Sequence, residues 1–374
     1  MEFLKKYSGL FTFVGAVLGA VAICLTCFIS QEWYFIVGII IFSLLTICFT
    51  YLYGWNKGQE SINKSYLENE NKICSANLGF MCYQLLCEEL KSLSQKKKFR
   101  EVIRLGNAIS RVLWLNLEYE SRVQIGHIVY EATIMENDEE ARIRLLIDDI
   151  GWTNLFIGNK EIAIKNLTEG IELAENGNYH FLASKGIRHM ANVKMLFEKG
   201  NPNLVKQYLD RVTPHIDSMT DGEDKTESML SYNYSMTEYL IYSNDITEAL
   251  KYSLQNKKDY ETAKDFDRLC KVFAQLGRIY CLNKNYTKAK DYFLQGVVRS
   301  EKQNRLDTVI KCYMGLAVCF YYDEHTPNLS KVTEYISCCE KLFNNKVFML
   351  DWEDIEKKYN NIVQTLNNNK KKEI

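Results

Sequence analysis

The sequence predicts an all-α protein: an N-terminal transmembrane helical hairpin followed by a right-handed α-solenoid of repeated helix pairs. Three observations predict it. Only three prolines occur, Pro202, Pro214 and Pro327, and proline breaks helix interiors. Two long uncharged apolar runs stand at the N-terminus. The rest of the chain repeats a pattern of large and small apolar residues at helical spacing.

The hairpin comes first. Residues 8–29 and 33–53 carry no charge, and Ser30-Gln31-Glu32 separates them. Each run matches the ~20 residues that cross a ~30 Å hydrocarbon core. The first holds eleven Leu, Ile, Val or Phe, which supply about −3 to −6 kcal/mol of apparent insertion energy. A cleaved signal peptide would have a shorter apolar core and no second run behind it. Lys5 and Lys6 precede the first span, Lys57 and Lys64 follow the second, and the loop holds no Lys or Arg. The positive-inside rule then expects a membrane protein with both termini cytoplasmic. Gly15 and Gly19 form a GxxxG step, which lets helices approach closely in the bilayer. They would pack the two spans together or join copies into a homo-oligomer.

Residues 57–78 read as a polar linker or helix extension, and residues 79–345 as the repeat region. The clearest unit is 273–297, FAQLGRIYCLNKNYTKAKDYFLQGV. Phe273, Leu276, Gly277 and Tyr280 are spaced for one helix, A, and Ala289, Phe293 and Gly296 for a second, B. Small residues at Gly277 and Ala289 allow the helices to cross closely. The same grid fits Ile150, Gly151, Asn154, Gly158, Ala163, Leu167 and Gly170. Weaker copies run through Val193–Val212 and through Met236, Thr237, Leu240, Ala249 and Asn256. Leu316, Ala317 and Phe320 begin the last copy. Leu90, Leu93, Phe99, Val102 and Ile109 suggest a degenerate first unit. Residues 346–374 read as a capping helix and a disordered basic tail.

The grid resembles the tetratricopeptide repeat. Its first close-contact positions, Gly151, Val193, Thr237, Gly277 and Ala317, are 42, 44, 40 and 40 residues apart, against ~34 in that family. Such stretched repeats resemble the Gram-positive peptide-pheromone receptors of Rap type. The chain departs from them in having no helix-turn-helix in front. The resemblance implies a concave groove lined by the A helices, holding a protein or peptide partner. By spacing, Trp152, Lys194, Tyr234, Glu238, Tyr242, Lys271, Arg278, Lys311 and Tyr321 project into it.

Other chemistry is sparse. The chain has a net charge of −1, which does not suggest nucleic acid as a partner. Its 12 cysteines are scattered through helical patterns and read as small buried hydrophobes. The five histidines, His127, His180, His189, His215 and His325, stand in no ligand spacing. Asp148 and Asp149 are neighbours and face different sides of a helix. No nucleophile, phosphate or dinucleotide motif occurs, so the sequence expects no enzyme, no metal and no cofactor. It expects a membrane-anchored cytoplasmic scaffold, with the lipid bilayer as a second partner. Two alternatives are a membrane-perturbing effector of bacterial defence type, whose solenoid senses a signal or oligomerises, and a peptide-responsive regulator.

Overall fold

A computed structural model describes residues 85–198, 200–325, 327–342 and 352–372. The chain divides into two compact units, Met1–Gln84 and Leu85–Ile374. The first lies outside the described residues, and with it the two expected spans, Gly15 and Gly19, and the linker. Every regular element among the described residues is helical.

The membrane localisation expected from the sequence is corrected here. Among the described residues, no helix is long and apolar enough to cross a membrane. The physical reason is amphipathicity. Even the 20-residue helices Glu223–Tyr242 and Glu353–Lys372 carry charged faces, which cost too much in hydrocarbon. The lipid partner and an oligomer formed through membrane helices have no support in the structure either.

Among the described residues fifteen helices follow one another, most of them in antiparallel pairs. Helix α1 covers 85–95. The first full pair is α2 (Phe99–Leu115) and α3 (Tyr119–Glu136). Next comes α4, a rod made of Glu139–Leu145, a π-helical stretch Leu146–Trp152 and Thr153–Phe156. It pairs with α5 (Lys160–Asn176). Helix α6 (His180–Phe197) faces a B segment broken into α7 (Pro202–Asp210) and α8 (Val212–Ser218). Then come α9 (Glu223–Tyr242) with α10 (Ile246–Thr262), and α11 (Phe266–Leu282) with α12 (Tyr286–Lys302). The last pair is α13 (Leu306–Tyr322) and α14 (Leu329–Leu342), followed by α15 (Glu353–Lys372). A helices are α2, α4, α6, α9, α11 and α13.

The stretched repeat has a local cause. Most helices run 17 or 18 residues, and the turns between them hold about three. Ten of the turns bend through one left-handed residue just before the next cap: Lys97, Leu117, Asn137, Gly158, Asn178, Gly200, Asn244, Lys264, Lys284 and Asn304. Asparagine tolerates that conformation better than other residues with a Cβ. The cap residues Asp138, Asn201, Asp245, Asp265 and Asn285 then accept a backbone N–H of the coming helix. The abundance of asparagine, which the grid leaves unexplained, has a structural use here.

The small residues sit where helices touch. A Cβ on Gly277 would lie 2.5 Å from the Phe293 ring, and one on Gly315 would lie 2.3 Å from it. Phe293 of α12 therefore fills the space that two A helices leave open. Gly151 has a further constraint: a Cβ there would meet the Leu146 carbonyl at 2.3 Å and Leu167 at 3.0 Å, because the π turn brings the carbonyl five residues back alongside it. Gly106, which the grid missed, plays the same part in the first pair, its Cβ position lying 2.2 Å from Val129. The cores form a series along the array, one around Ile147, Leu167 and Ile187 and another around Phe293, Leu316 and Trp352.

The array also turns back on itself. Arg111 of α2 forms an ion pair with Asp267 of α11, and Asp267 also receives Arg305 at 3.3 Å. Leu117, in the turn after α2, packs against both of those cores. The first full helix pair thus meets the α11–α13 region.

Candidate functional site

Neighbouring A helices touch directly at α4–α6, α6–α9 and α11–α13, whereas α9 and α11 stand further apart. Long polar side chains bridge that gap. Gln275 of α11 is fully buried and donates through Nε2 to Glu238 Oε1 at 2.6 Å and to the Tyr234 carbonyl at 3.3 Å. Arg278 pairs with Glu238 at 2.6 Å. The Lys271 ammonium lies 5.0 Å from the centre of the Tyr234 ring, and Arg268 reaches Glu227 at 2.6 Å.

One residue of α10 departs from the pattern of the other units. Gly170 and Gly296 occupy the B-helix position that approaches the flanking A helices: Cβ atoms there would meet Ile147 at 2.8 Å and Cys312 at 2.8 Å. The equivalent position on α10 is Asn256. It is 1% exposed, and neither its amide nitrogen nor its amide oxygen has a hydrogen-bond partner. Its side chain stands where two other units hold glycine, and its polarity is left unsatisfied. Such a group costs about 1–3 kcal/mol. Tyr260, one turn further along α10, is buried, and burial pushes its hydroxyl up to about 12.

Beside this cleft stands α6. Ser184 meets Ser228 of α9 at 3.2 Å. On the other flank, Lys185 pairs with Asp148 of α4, and His189 Nε2 lies 3.3 Å from the same carboxylate. Burial pushes the Asp148 carboxyl up, but Lys185 and His189 together outweigh it and hold it well below the usual range. Burial, helped by Arg188 and Lys185, lowers His189 to about 4 against the pull of Asp148. The imidazole is therefore neutral at pH 7 and stacks on Trp152 at 4.3 Å. Asp149 faces the other way, to Arg122 at 2.6 Å and Ser110 at 2.8 Å.

The candidates named from sequence separate into two sets. Tyr234, Glu238, Lys271 and Arg278 come together at the α9–α11 cleft. Lys311 lies near its C-terminal end, 5.5 Å from the Trp352 ring. The others are engaged elsewhere. Trp152 belongs to the α4–α6 contact. Lys194 pairs with Glu198 and lies 5.8 Å from the Tyr208 ring. The Tyr242 hydroxyl accepts from the Gly200 amide at 2.9 Å and donates to the Glu198 carbonyl at 3.1 Å, holding a turn. Tyr321 stands edge-on to Tyr322 at 5.1 Å. Arg278 also belongs to an internal tie, reaching Asp354 of α15 at 3.1 Å and lying 5.4 Å from the Trp352 ring. Sequence reasoning missed Gln275, Arg188 and the unsatisfied state of Asn256. The one available signal was asparagine at a position that holds glycine in two other units.

Among the described residues, no group of three or more His, Cys, Asp or Glu is arranged to hold a metal ion. The described cysteines are free and mostly buried. Burial raises the Cys312 and Cys339 thiols, the opposite of what a nucleophile needs.

Fold and site together define a class: an all-helical array of antiparallel helix pairs with buried polar contacts between two A helices. No family model and no curated protein matches the chain. Among solved structures it is similar to a signal transduction ATPase with numerous domains (STAND) protein with a tetratricopeptide repeat sensor from Pyrococcus horikoshii. That match has a TM-score of 0.45 and 20% identity, covering 70% of this chain. The chain spans 40% of the length of that protein. It is also similar to a Rap protein complexed with competence and sporulation factor, with a TM-score of 0.42 and 11% identity over 76% of this chain and 98% of the other.

Proposed function

We propose that the array is a recognition module, not an enzyme, and that it binds a peptide or an extended protein segment in the α9–α11 cleft. One observation carries this reading: Asn256 of α10 is buried with an amide that nothing among the described residues satisfies. An Asn amide offers both donor and acceptor, which suits the alternating N–H and C=O groups of an extended backbone. The cost of such a residue points to a use outside folding. Tyr234, Glu238 and Gln275 supply an aromatic face, an acceptor and an amide along the same walls.

Asn256→Ala tests it. Removal of the unsatisfied amide raises thermal stability by about 1–2 kcal/mol, while hexapeptides selected by the full chain from a mixed library bind at least tenfold more weakly. Unchanged binding of those peptides would rule the cleft out as the site.

A second reading, a peptide-responsive regulator, is favoured by Arg278. It joins Glu238 of the cleft to Asp354 of α15. A ligand that takes Glu238 from Arg278 would alter how α15 is held.

A further inference from the structure

Arg188 of α6 is 9% exposed, yet among the described residues it makes no hydrogen bond and no ion pair, and its Nε is enclosed without a partner. Every other buried arginine in the array is tied: Arg122 to Asp149, Arg278 to Glu238 and Asp354, Arg305 to Asp307 and Asp267. Arg188 stands among Tyr260, Glu227, Asp148 and Arg268 and reaches none of them. Its carboxylate neighbours are taken, Glu227 by Arg268 and Asp148 by Lys185 and His189. Lys271 of α11 has no carboxylate within ion-pair reach among the described residues either; the Tyr234 ring is its contact. Arg268 is close enough to repel both Arg188 and Lys271. Cations are thus gathered where the folded chain supplies too few anions. An unpaired buried charge is costly, and burial lowers both groups, Lys271 to about 8.

We infer that Arg188 receives a carboxylate of the bound peptide, either an acidic side chain or the chain terminus. This rests on the proposal that the cleft binds a peptide and names the chemistry of its ligand. Guanidinium and carboxylate match in planar geometry, and such a pair is strong when desolvated. Arg188 explains what a purely structural account leaves open: why a buried arginine is kept with no internal partner. His189 Nδ1, one residue on, is also enclosed and unpartnered, but it turns towards α4 and is not needed here.

The test uses the full chain and four libraries of N-acetylated hexapeptides, as free acids or C-terminal amides, each with Asp and Glu present or replaced by Asn and Gln. The wild type is expected to retain peptides carrying a carboxylate and to reject the library with none. Preference between the amide and acidic-residue arms identifies the source. Arg188→Met should weaken retained peptides tenfold to a hundredfold, the effect of losing one charged hydrogen bond. Its melting temperature should equal or exceed that of the wild type, because an unpaired cation has been removed. Arg188→Lys should recover part of the binding. Equal retention by Arg188→Met, or selection of peptides without carboxylates, overturns the carboxylate site and leaves the cleft reading standing. A lower melting temperature for Arg188→Met assigns the residue a folding role and also overturns it. No retention from any library, or retention of a short oligonucleotide instead, overturns both.

Discussion

At the scale of single residues, burial decides which charges and polar groups can serve a ligand. His189 is a case where a carboxylate 3.3 Å away loses to desolvation and to two cations, so the ring stays neutral down to about pH 4. The sign of the consequence is fixed. The unfolded chain takes up a proton near pH 6.5, while the folded chain does not until about pH 4. Stability contributed by the neutral ring is therefore complete above pH 6.5 and declines as pH falls from 6.5 to 4. Chemical denaturation across that window is expected to show the decline in the wild type and a flatter profile in His189→Gln. Identical profiles would show that the ring titrates normally. Arg188 and Asn256 are the complementary cases, groups buried without compensation. Neither is legible in sequence, because what marks them is the absence of a partner brought by other helices.

Individual elements show what repeat spacing can and cannot deliver. The A–B crossings were readable, since Gly277, Ala289, Phe293 and Gly296 form a grid whose physical reason is steric: a Cβ at Gly277 would strike Phe293. Spacing also placed Tyr242 and Arg278 on the A-helix face. It could not show that Tyr242 holds the Glu198–Gly200 turn or that Arg278 is tied to α15, since those depend on which neighbour arrives. The π stretch in α4 has no sequence period of its own. Turns tell a similar story. Lys264 and Lys284 adopt left-handed φ of 56° and 57°, a conformation that costs a residue with a Cβ about 1 kcal/mol. Replacing each by Gly is expected to stabilise the protein by about 0.5–1 kcal/mol, measured by equilibrium urea unfolding. Asn244→Gly, where asparagine already tolerates the geometry, should gain less. A loss of stability at Lys284→Gly would mean that the turn is not held in the left-handed state.

For the whole molecule, the described residues form a closed-in array: α2 meets α11 through Arg111 and Asp267, and Leu117 joins two cores. That closure brings distant units together, and a nearest-neighbour repeat scheme gives no hint of it. The central claim is that a carboxylate-bearing peptide occupies the α9–α11 cleft. Hydrogen exchange of the full chain, with and without a hexapeptide retained from the library, tests it most directly. The account predicts slower exchange confined to α6, α9, α10 and α11, with α2, α3 and α5 unchanged. Protection on α5 or α12 with none on α9 and α11, or protection at none of these helices when the peptide is bound, would contradict it.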